Sequence, residues 1–180
     1  MLFNKSVLIS SCVFALATVA SAAPTPADTT IDGYTAAVID TRRFCLFLPF
    51  EAGGSISQNE DMAFSFCTAS LSQAPRAMVR PAGVMPAGFI KSTHLVKTDN
   101  YVQLTGRINR SAYKLSKNDS GGQYDPKAPL GSSCAGYNYF VQLIEPDVQI
   151  YCIRCCKNKS DCPTDNSTRG CKAVLGGNYS

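Results

Sequence analysis

The 180-residue sequence predicts a mainly β fold, a small barrel or sandwich with short helical segments, stabilised by disulfides. Two pairs of alternating apolar segments, each joined by a short turn sequence, predict β-hairpins. Of the nine cysteines, only Cys12 precedes residue 23, which leaves eight for the chain that follows. An even count in a secreted chain allows complete disulfide pairing, so the cysteines predict a cross-linked fold.

The N-terminus has the pattern of a secretory signal peptide. Lys5 precedes an apolar run over residues 7–19, which is too short to span a bilayer, and residues 20–22 supply a cleavage site of small side chains. We therefore predict a signal peptide over residues 1–22 and a secreted, extracellular mature chain. An N-terminal membrane anchor is the less favoured alternative.

Charge and hydropathy exclude several classes of partner. Loss of Lys5 with the signal peptide lowers the net charge from +4 to +3, and the basic residues are scattered, so no nucleic-acid partner is predicted. No later segment has the length of a membrane span, and the final residues GGNYS lack the hydrophobic tail of a GPI signal. We predict a flexible leader over residues 23–41 and a single cysteine-rich domain over residues 42–180.

The first elements of the domain are predicted from residues 42–67. The stretch RRFCLFLPF, residues 42–50, is apolar on both faces, which favours a central strand ended by Pro49. Ser57 and Glu60 have the spacing of a capping box, which predicts the start of a short helix. The following MAFSFC alternates in size and fits a strand as well as a helical turn.

The remaining elements are a proline-rich loop and two hairpins. Residues 74–88 hold three prolines and two glycines and predict a loop. GFIKSTHLVKT and YVQLTGRI, joined by Asp99-Asn100, predict one hairpin, and YNYFVQLIE and VQIYCIRC, joined by Pro146-Asp147, predict another. Between them, loop 116–130 is long, polar and glycine-bearing.

Four of the cysteines crowd into YCIRCCKNKSDC, residues 151–162. The C-x-x-C spacing is found in zinc and thioredoxin-like sites, but there is no second such pair, no nearby histidine and no βαβ context. We therefore predict no metal and no cofactor. Adjacent Cys155 and Cys156 project in different directions and are expected to take different partners. The predicted disulfide cysteines are Cys45, Cys67, Cys134, Cys152, Cys155, Cys156, Cys162 and Cys171.

The split of these cysteines along the chain constrains their pairing. Three lie upstream of residue 151 and five lie in the tail, so complete pairing requires one or three bridges between the two groups. Five N-x-S/T sequons in the second half of the chain also predict a glycoprotein with a solvent-facing surface there. Their asparagines are Asn109, Asn118, Asn158, Asn166 and Asn178.

No catalytic residue is predicted. Asp119-Ser120-Gly121-Gly122 resembles the serine string of trypsin-like proteases, with His94 and Asp99 upstream, but the chain is too short for two barrels and the flanking residues differ. A turn is the favoured interpretation, and His94 is expected to be structural.

A secreted glycosidase would need two carboxylates across a groove. The candidates are Asp119, Asp125, Glu145 and Asp147, and no spacing separates them from solvent residues. Tyrosines at 124, 137 and 139 could stack on a sugar, although the chain has no tryptophan.

The ordered blocks FCLFLPF, GFIKSTHLVKTDNYVQLTGRIN, DSGGQYDPKAPLG, YFVQLIEPD and YCIRCC resemble a family of fungal small secreted cysteine-rich proteins. More distantly, they are similar to the fungal macrophage-activating glycoproteins. The resemblance runs from about residue 43 and implies a fungal source, secretion and a role outside the cell. It implies no catalytic residues, because no enzymatic activity is established for that family.

Together these observations predict a non-enzymatic secreted glycoprotein that acts at a host or cell-wall interface, with an effector or elicitor role in virulence as one form of it. Its partner would be an extracellular or host protein or a cell-wall glycan. Within loop 116–130, Asp119, Gln123, Tyr124 and Asp125 are the candidate contact residues. The alternatives are a carbohydrate-active or carbohydrate-binding protein that uses Asp119, Asp125 and Tyr124, and a passive wall component.

Overall fold

The computed structural model describes residue 1 and residues 33–74, 77–79 and 87–180. These ranges hold ten β-strands and a few short helices, which confirms the predicted mainly β fold. The strands are β1 Thr35–Ala36, β2 Cys45–Pro49, β3 Ala63–Cys67, β4 Met78–Val79, β5 Ile90–Lys97, β6 Tyr101–Ile108, β7 Gly122–Tyr124, β8 Ser133–Cys134, β9 Tyr139–Glu145 and β10 Ile150–Cys156. The helices are the 3-10 helices η1 Ser57–Met62, η2 Arg110–Tyr113, η3 Lys159–Asp161 and η4 Ser167–Arg169, and the α-helix α1 Gly170–Val174.

The strands form three sheets. The largest is antiparallel with the order β5-β6-β10-β9-β7, the second has the order β2-β3-β4, and β1 pairs with β8 in parallel. Both predicted hairpins are present, β5 with β6 and β9 with β10, and their inner strands lie side by side. The predicted signal peptide lies outside the described residues, as do Pro75, Pro81 and Pro86.

The main core lies between the two larger sheets. Phe47 of β2 stacks on Phe140 of β9 with ring centroids 5.2 Å apart, and Phe44 stacks on Tyr151 at 6.1 Å. Gln142 of β9 is fully buried among them and bridges the sheets. Its Oε1 accepts a hydrogen bond from Phe47 N at 2.8 Å, and its Nε2 donates to Phe47 O at 2.7 Å.

Two sequence predictions about the start of the domain are wrong. Strand β2 is at the edge of its sheet rather than in the centre, although all five of its residues are buried. Gln142 bonds to Phe47 on its outer edge, and Ala37 O accepts a bond from Cys45 N. The predicted leader is also too long, since β1 pairs with β8 and Ala36 and Ala37 belong to the core. Small side chains such as Ala36 and Ala37 suggested a flexible segment in the sequence, but in the fold they pack closely against larger neighbours.

The C-terminal tail covers the opposite face of the large sheet. Successive residues of a strand point to opposite faces, so Cys155 faces the main core while Cys156 faces the tail. This alternation separates the partners of the two adjacent cysteines, as predicted. The four disulfides are Cys45–Cys67, Cys134–Cys155, Cys152–Cys171 and Cys156–Cys162. Cys134–Cys155 is thus the single bridge between the upstream and tail groups.

The predicted capping box is absent, although a short 3-10 helix does occupy that position. The residue before η1 is Ile56, and no side chain caps the helix. Ile56 N donates instead to Asp119 Oδ2 at 2.8 Å, and Glu60 bonds to another part of the chain. In the described ranges, no helix is long and apolar enough to cross a membrane.

Candidate functional site

A polar cleft of about 350 Å³ lies at the free edge of β7, and we call it the β7 cleft. Four segments converge on it: η1, the turn that enters β7, the end of β9, and the link between η4 and α1. Its lining residues are Ser57, Glu60, Ser120, Gly121, Gly122, Leu143, Glu145, Asp147, Thr168, Arg169 and Gly170.

Glu60 enters the cleft from η1 and closes the sheet edge. Its Oε1 accepts a hydrogen bond from Gln123 N at 2.7 Å, so it satisfies a backbone donor on the unpaired side of β7. Burial raises the pKa of Glu60, the bond from Gln123 opposes that rise, and the nearby charges of Asp61 and Asp125 add to it. Glu60 therefore holds its proton to a higher pH than an ordinary glutamate does.

Glu145 reaches the cleft from the other side, at the end of β9. Its Oε2 accepts a hydrogen bond from Cys171 N at 2.6 Å, which fixes the carboxyl group against the start of α1. Burial raises the pKa of Glu145, the bond from Cys171 opposes the rise, Asp147 adds to it and Lys172 lowers it. Two carboxyl groups of raised pKa thus line one cleft.

Glycines allow these carboxyl groups to approach the backbone so closely. A Cβ atom at Gly122 would collide with Glu60 Oε1, and one at Gly170 would crowd Glu145 Oε1. Gly170 also has a φ of 73°, a conformation that glycine adopts without strain. Both positions therefore require glycine for the cleft to keep its shape.

The arrangement suits a polyhydroxyl ligand. Hydroxyl groups of Ser57, Ser120 and Thr168 can donate and accept hydrogen bonds, and the oxygens of Glu60, Glu145 and Asp147 can accept them. Among the described residues, no group of three or more histidine, cysteine or acidic side chains is placed to hold a metal ion. What the cleft offers a ligand is its hydroxyl and carboxyl groups, which can form hydrogen bonds.

The residues predicted to contact a partner support loop 116–130 from within. Tyr124 is fully buried against Phe47, and Gln123 and Asp125 are 7% and 8% exposed. Gln123 Nε2 donates to Asp125 Oδ2 and to Thr164 O, and Asp119 Oδ1 accepts from Gly121 N at 2.9 Å. Tyr124, Gln123 and Asp125 are therefore corrected from contact residues to internal supports, because their polar groups fold inward onto the chain.

Other residues of the loop face solvent. Lys117, Asn118 and Ser120 are exposed, Ser120 at the lining of the β7 cleft, and Leu130 is 84% exposed. The chain segment itself remains accessible, while the part of it that a partner could touch differs from the predicted set.

The sequence candidates for an acid pair divide in two. Asp125 accepts bonds from Gln123 and Lys127 N, and Asp119 accepts one from the distant Ile56 N, whereas Glu145 and Asp147 line the cleft. Glu60 joins them there, although sequence reasoning assigned it to a helix cap. Its bond to Gln123 spans 63 positions, so no local sequence pattern could have indicated it.

The remaining predicted residues are placed at the surface. His94 is half-buried on β5, with its Nε2 3.2 Å from Ser180 O, so it contacts the C-terminal tail. Four of the sequon asparagines are exposed, and Asn109 is half-buried where its Oδ1 accepts a bond from Ser111 N. The exposed asparagines are Asn118, Asn158, Asn166 and Asn178. Tyr137 packs beside the main core, and Tyr139 is 37% exposed.

No family model and no solved structure matches this chain. A 98-residue region is 32% identical to the protein named appressorium protein ROW1 of the fungus Mycosarcoma maydis, and the match covers 53% of this chain. The chain spans about a fifth of that relative, 21% of its length. The likeness links the chain to a fungal protein and gives no support to the predicted similarity to macrophage-activating glycoproteins.

Proposed function

We propose that this chain is a secreted, non-enzymatic fungal glycoprotein that acts at the host or cell-wall interface, in an effector or surface role. Four disulfides suit an oxidising extracellular setting. The 32% identity to a fungal appressorium protein also supports an extracellular or surface setting. The role of that relative as a whole is not carried over to this chain.

The observation that carries the proposal is the construction of loop 116–130. Asp119 bonds the loop to Ile56, and Gln123 bonds it to Thr164, so two distant segments fix its backbone. Lys117 and Ser120 are thereby presented to solvent on a rigid base. A preorganised surface loses little entropy on binding, as a recognition loop requires.

The test applies the purified protein to plausible host tissue and to isolated wall material. The variant Lys117→Ala, which leaves the Asn118 sequon and the β7 cleft intact, should lose at least half of the retained protein or host response, while Lys97→Ala, an exposed change at the end of β5, should retain it. Equal retention by both variants would remove the loop from the proposal.

A second candidate function is carbohydrate binding in the β7 cleft, which the convergence of Glu60 and Glu145 favours. Carboxyl oxygens and hydroxyl groups together match the donors and acceptors of a sugar ring. Calorimetry against a panel of wall polysaccharides should show binding that Glu60→Gln with Glu145→Gln weakens and that Asp99→Asn, an exposed control, leaves unchanged. Binding that is equal in the two variants would assign the sugar to another surface.

A further inference from the structure

A second surface, the aromatic patch, lies across η1 from the β7 cleft. It is a shallow groove of about 460 Å³ lined by Tyr34, Phe50, Glu51, Asn59, Asp61, Met62 and Phe64. Phe50 is 46% exposed and Met62 62% exposed, and they lie together. Neighbouring exposed apolar side chains of this size mark a contact surface more often than scattered ones do.

The two surfaces share η1 but use different sides of it. Residues three positions apart lie on the same side of a 3-10 helix. Ser57 and Glu60 line the β7 cleft, whereas Asn59 and Met62 line the aromatic patch. The patch is therefore lined by different residues from the cleft, and the link between them is the charge of Asp61, which contributes to the raised pKa of Glu60.

The rings of the patch form a fixed corner. Phe64 stacks on Tyr34 with centroids 5.5 Å apart and an interplanar angle of 21°. Phe50 meets Phe64 at 5.4 Å with an angle of 58°, so the two phenylalanine rings form an angled wall. A Cβ atom at Gly33 would collide with the Phe64 ring, which shows how closely the backbone holds that ring in place. Angled aromatic walls of this kind attract cations through their ring faces.

The charges of the patch also favour a cationic ligand. Glu51 and Asp61 are both exposed, and across the described ranges neither carboxylate takes part in a hydrogen bond or an ion pair. They are the charged residues of the lining, and their sign is opposite to the net charge of +4 of the whole chain. A cationic group placed over the rings would meet both carboxylates and the ring faces.

From this geometry we propose that the aromatic patch binds a segment of a partner protein that carries lysine or arginine side chains between apolar ones. The basic side chains complement Glu51 and Asp61, and the apolar ones cover Phe50 and Met62. Methionine and aromatic residues are enriched in protein interfaces, and the flexible thioether adapts to an irregular partner. The inference goes beyond the proposed function, because it concerns a different surface and stands whether or not loop 116–130 or the cleft binds anything.

The test measures fluorescence anisotropy of a labelled, end-blocked hexapeptide of alternating lysine and leucine. A peptide with glutamate in place of lysine is the matched probe. Glu51→Gln with Asp61→Asn should weaken the Kd for the lysine peptide about fivefold or more, and Phe50→Ala about threefold, in line with exposed cation–π and ion-pair interactions. Asp99→Asn and Val148→Ala, exposed changes elsewhere, should leave the Kd unchanged.

Each result decides the inference. Loss of affinity in both patch variants and in neither control supports it. Loss in the charge variant alone overturns it, since the attraction would then be non-specific, and so does equal binding of the glutamate peptide. Preference for a chitosan oligomer over the lysine peptide, with the same variants sensitive, overturns the choice of a protein partner and assigns the patch to an amino-sugar polymer. Near-ultraviolet circular dichroism verifies that each variant is folded.

Discussion

Gln142 shows how one buried polar side chain can join two sheets. It lies in the main core with no solvent exposure, and its amide satisfies both the N–H and the C=O of Phe47. An amide side chain can do this because its nitrogen donates while its oxygen accepts. The backbone groups of Phe47 at the edge of β2 are therefore satisfied by a side chain from the opposite sheet.

We expect Gln142→Leu to destabilise the protein strongly. Leucine would leave both Phe47 groups buried without a partner, which costs about 1–3 kcal/mol for each. Urea unfolding followed by circular dichroism measures the change. Gln58→Leu on exposed η1 is the matched control and should alter the free energy of unfolding by less than about 0.5 kcal/mol. Similar values for the two variants would contradict the bridging role.

The two cleft carboxyl groups give the stability a predictable dependence on pH. Burial raises the pKa of Glu60 and of Glu145 above their ordinary value of 4.5. The folded state then binds more protons than the unfolded state, so this contribution to the free energy of unfolding is full below pH 4.5 and is lost as pH rises through the folded pKa. Glu60→Gln with Glu145→Gln removes that loss.

Urea unfolding at a series of pH values from 4 to 8 provides the comparison. The difference in free energy of unfolding between the glutamine variant and the wild type should grow in favour of the variant as pH rises above 4.5. Glutamine keeps an oxygen acceptor for Gln123 N and Cys171 N, so hydrogen bonding is preserved. Parallel curves for the two proteins would show that the carboxyl groups have ordinary pKa values.

At the scale of elements, the hairpins were predictable and the short strands were not. Strands β5, β6, β9 and β10 are seven or eight residues long, contain many β-branched and aromatic residues, and are joined in pairs by turn sequences. Strand β7 has three residues. It is a strand because β9 pairs with it on one side, and on the other side Glu60 accepts the hydrogen bond of Gln123 N. Its sequence, GQY, carries no periodic signal of its own.

Contacts between distant segments also explain why the buried residues of loop 116–130 were predicted to be contact residues. Polar composition in loop 116–130 indicated solvent exposure, yet Tyr124 and Asp125 are buried because the loop folds inward onto η1 and the tail. Bonds such as Asp119 to Ile56 span more than sixty positions, where a single sequence gives no guidance. Local pattern therefore predicts elements, while the site depends on their assembly.

The disulfides are expected to differ in their contribution to stability. Cys134–Cys155 closes a separation of 21 positions and Cys156–Cys162 one of 6. Loop-closure entropy then assigns about 3.4 kcal/mol to the first and about 2.4 kcal/mol to the second. Guanidinium unfolding of the two paired serine variants should show the larger loss for Cys134→Ser with Cys155→Ser. An equal or reversed order would show that native-state packing outweighs the chain-entropy effect.

At the scale of the whole molecule, the distribution of sequons indicates which surface is free. Asn118 lies on loop 116–130, and Asn158 and Asn166 lie in the tail that covers the large sheet. The aromatic patch is lined by residues 34–64, a part of the chain with no sequon. None of the residues that line the patch is a sequon asparagine, although Asn118 is next to Asp119, which accepts a bond from Ile56 N before η1. We predict that the patch binds a protein partner when the chain is glycosylated.

Expression in a yeast secretory host tests this arrangement together with the predicted cleavage. The protein recovered from the medium should begin at Ala23 and lose mass on treatment with peptide N-glycosidase F, because the predicted signal peptide ends at residue 22 and several sequon asparagines are exposed. Asn118→Gln and Asn158→Gln should each remove one glycan by intact mass. Asn109→Gln should change the mass least, since that side chain is half-buried and bonded to Ser111 N.

The glycosylated and deglycosylated forms then separate the two surfaces. Binding of the lysine–leucine peptide at the aromatic patch should be the same for both forms, because none of the residues that line the patch is a glycosylation site. Retention through loop 116–130 should change on deglycosylation, because Asn118 lies beside Lys117 and Ser120. A change in peptide binding with none in loop-mediated retention would reverse the assignment of which surface the sugars border.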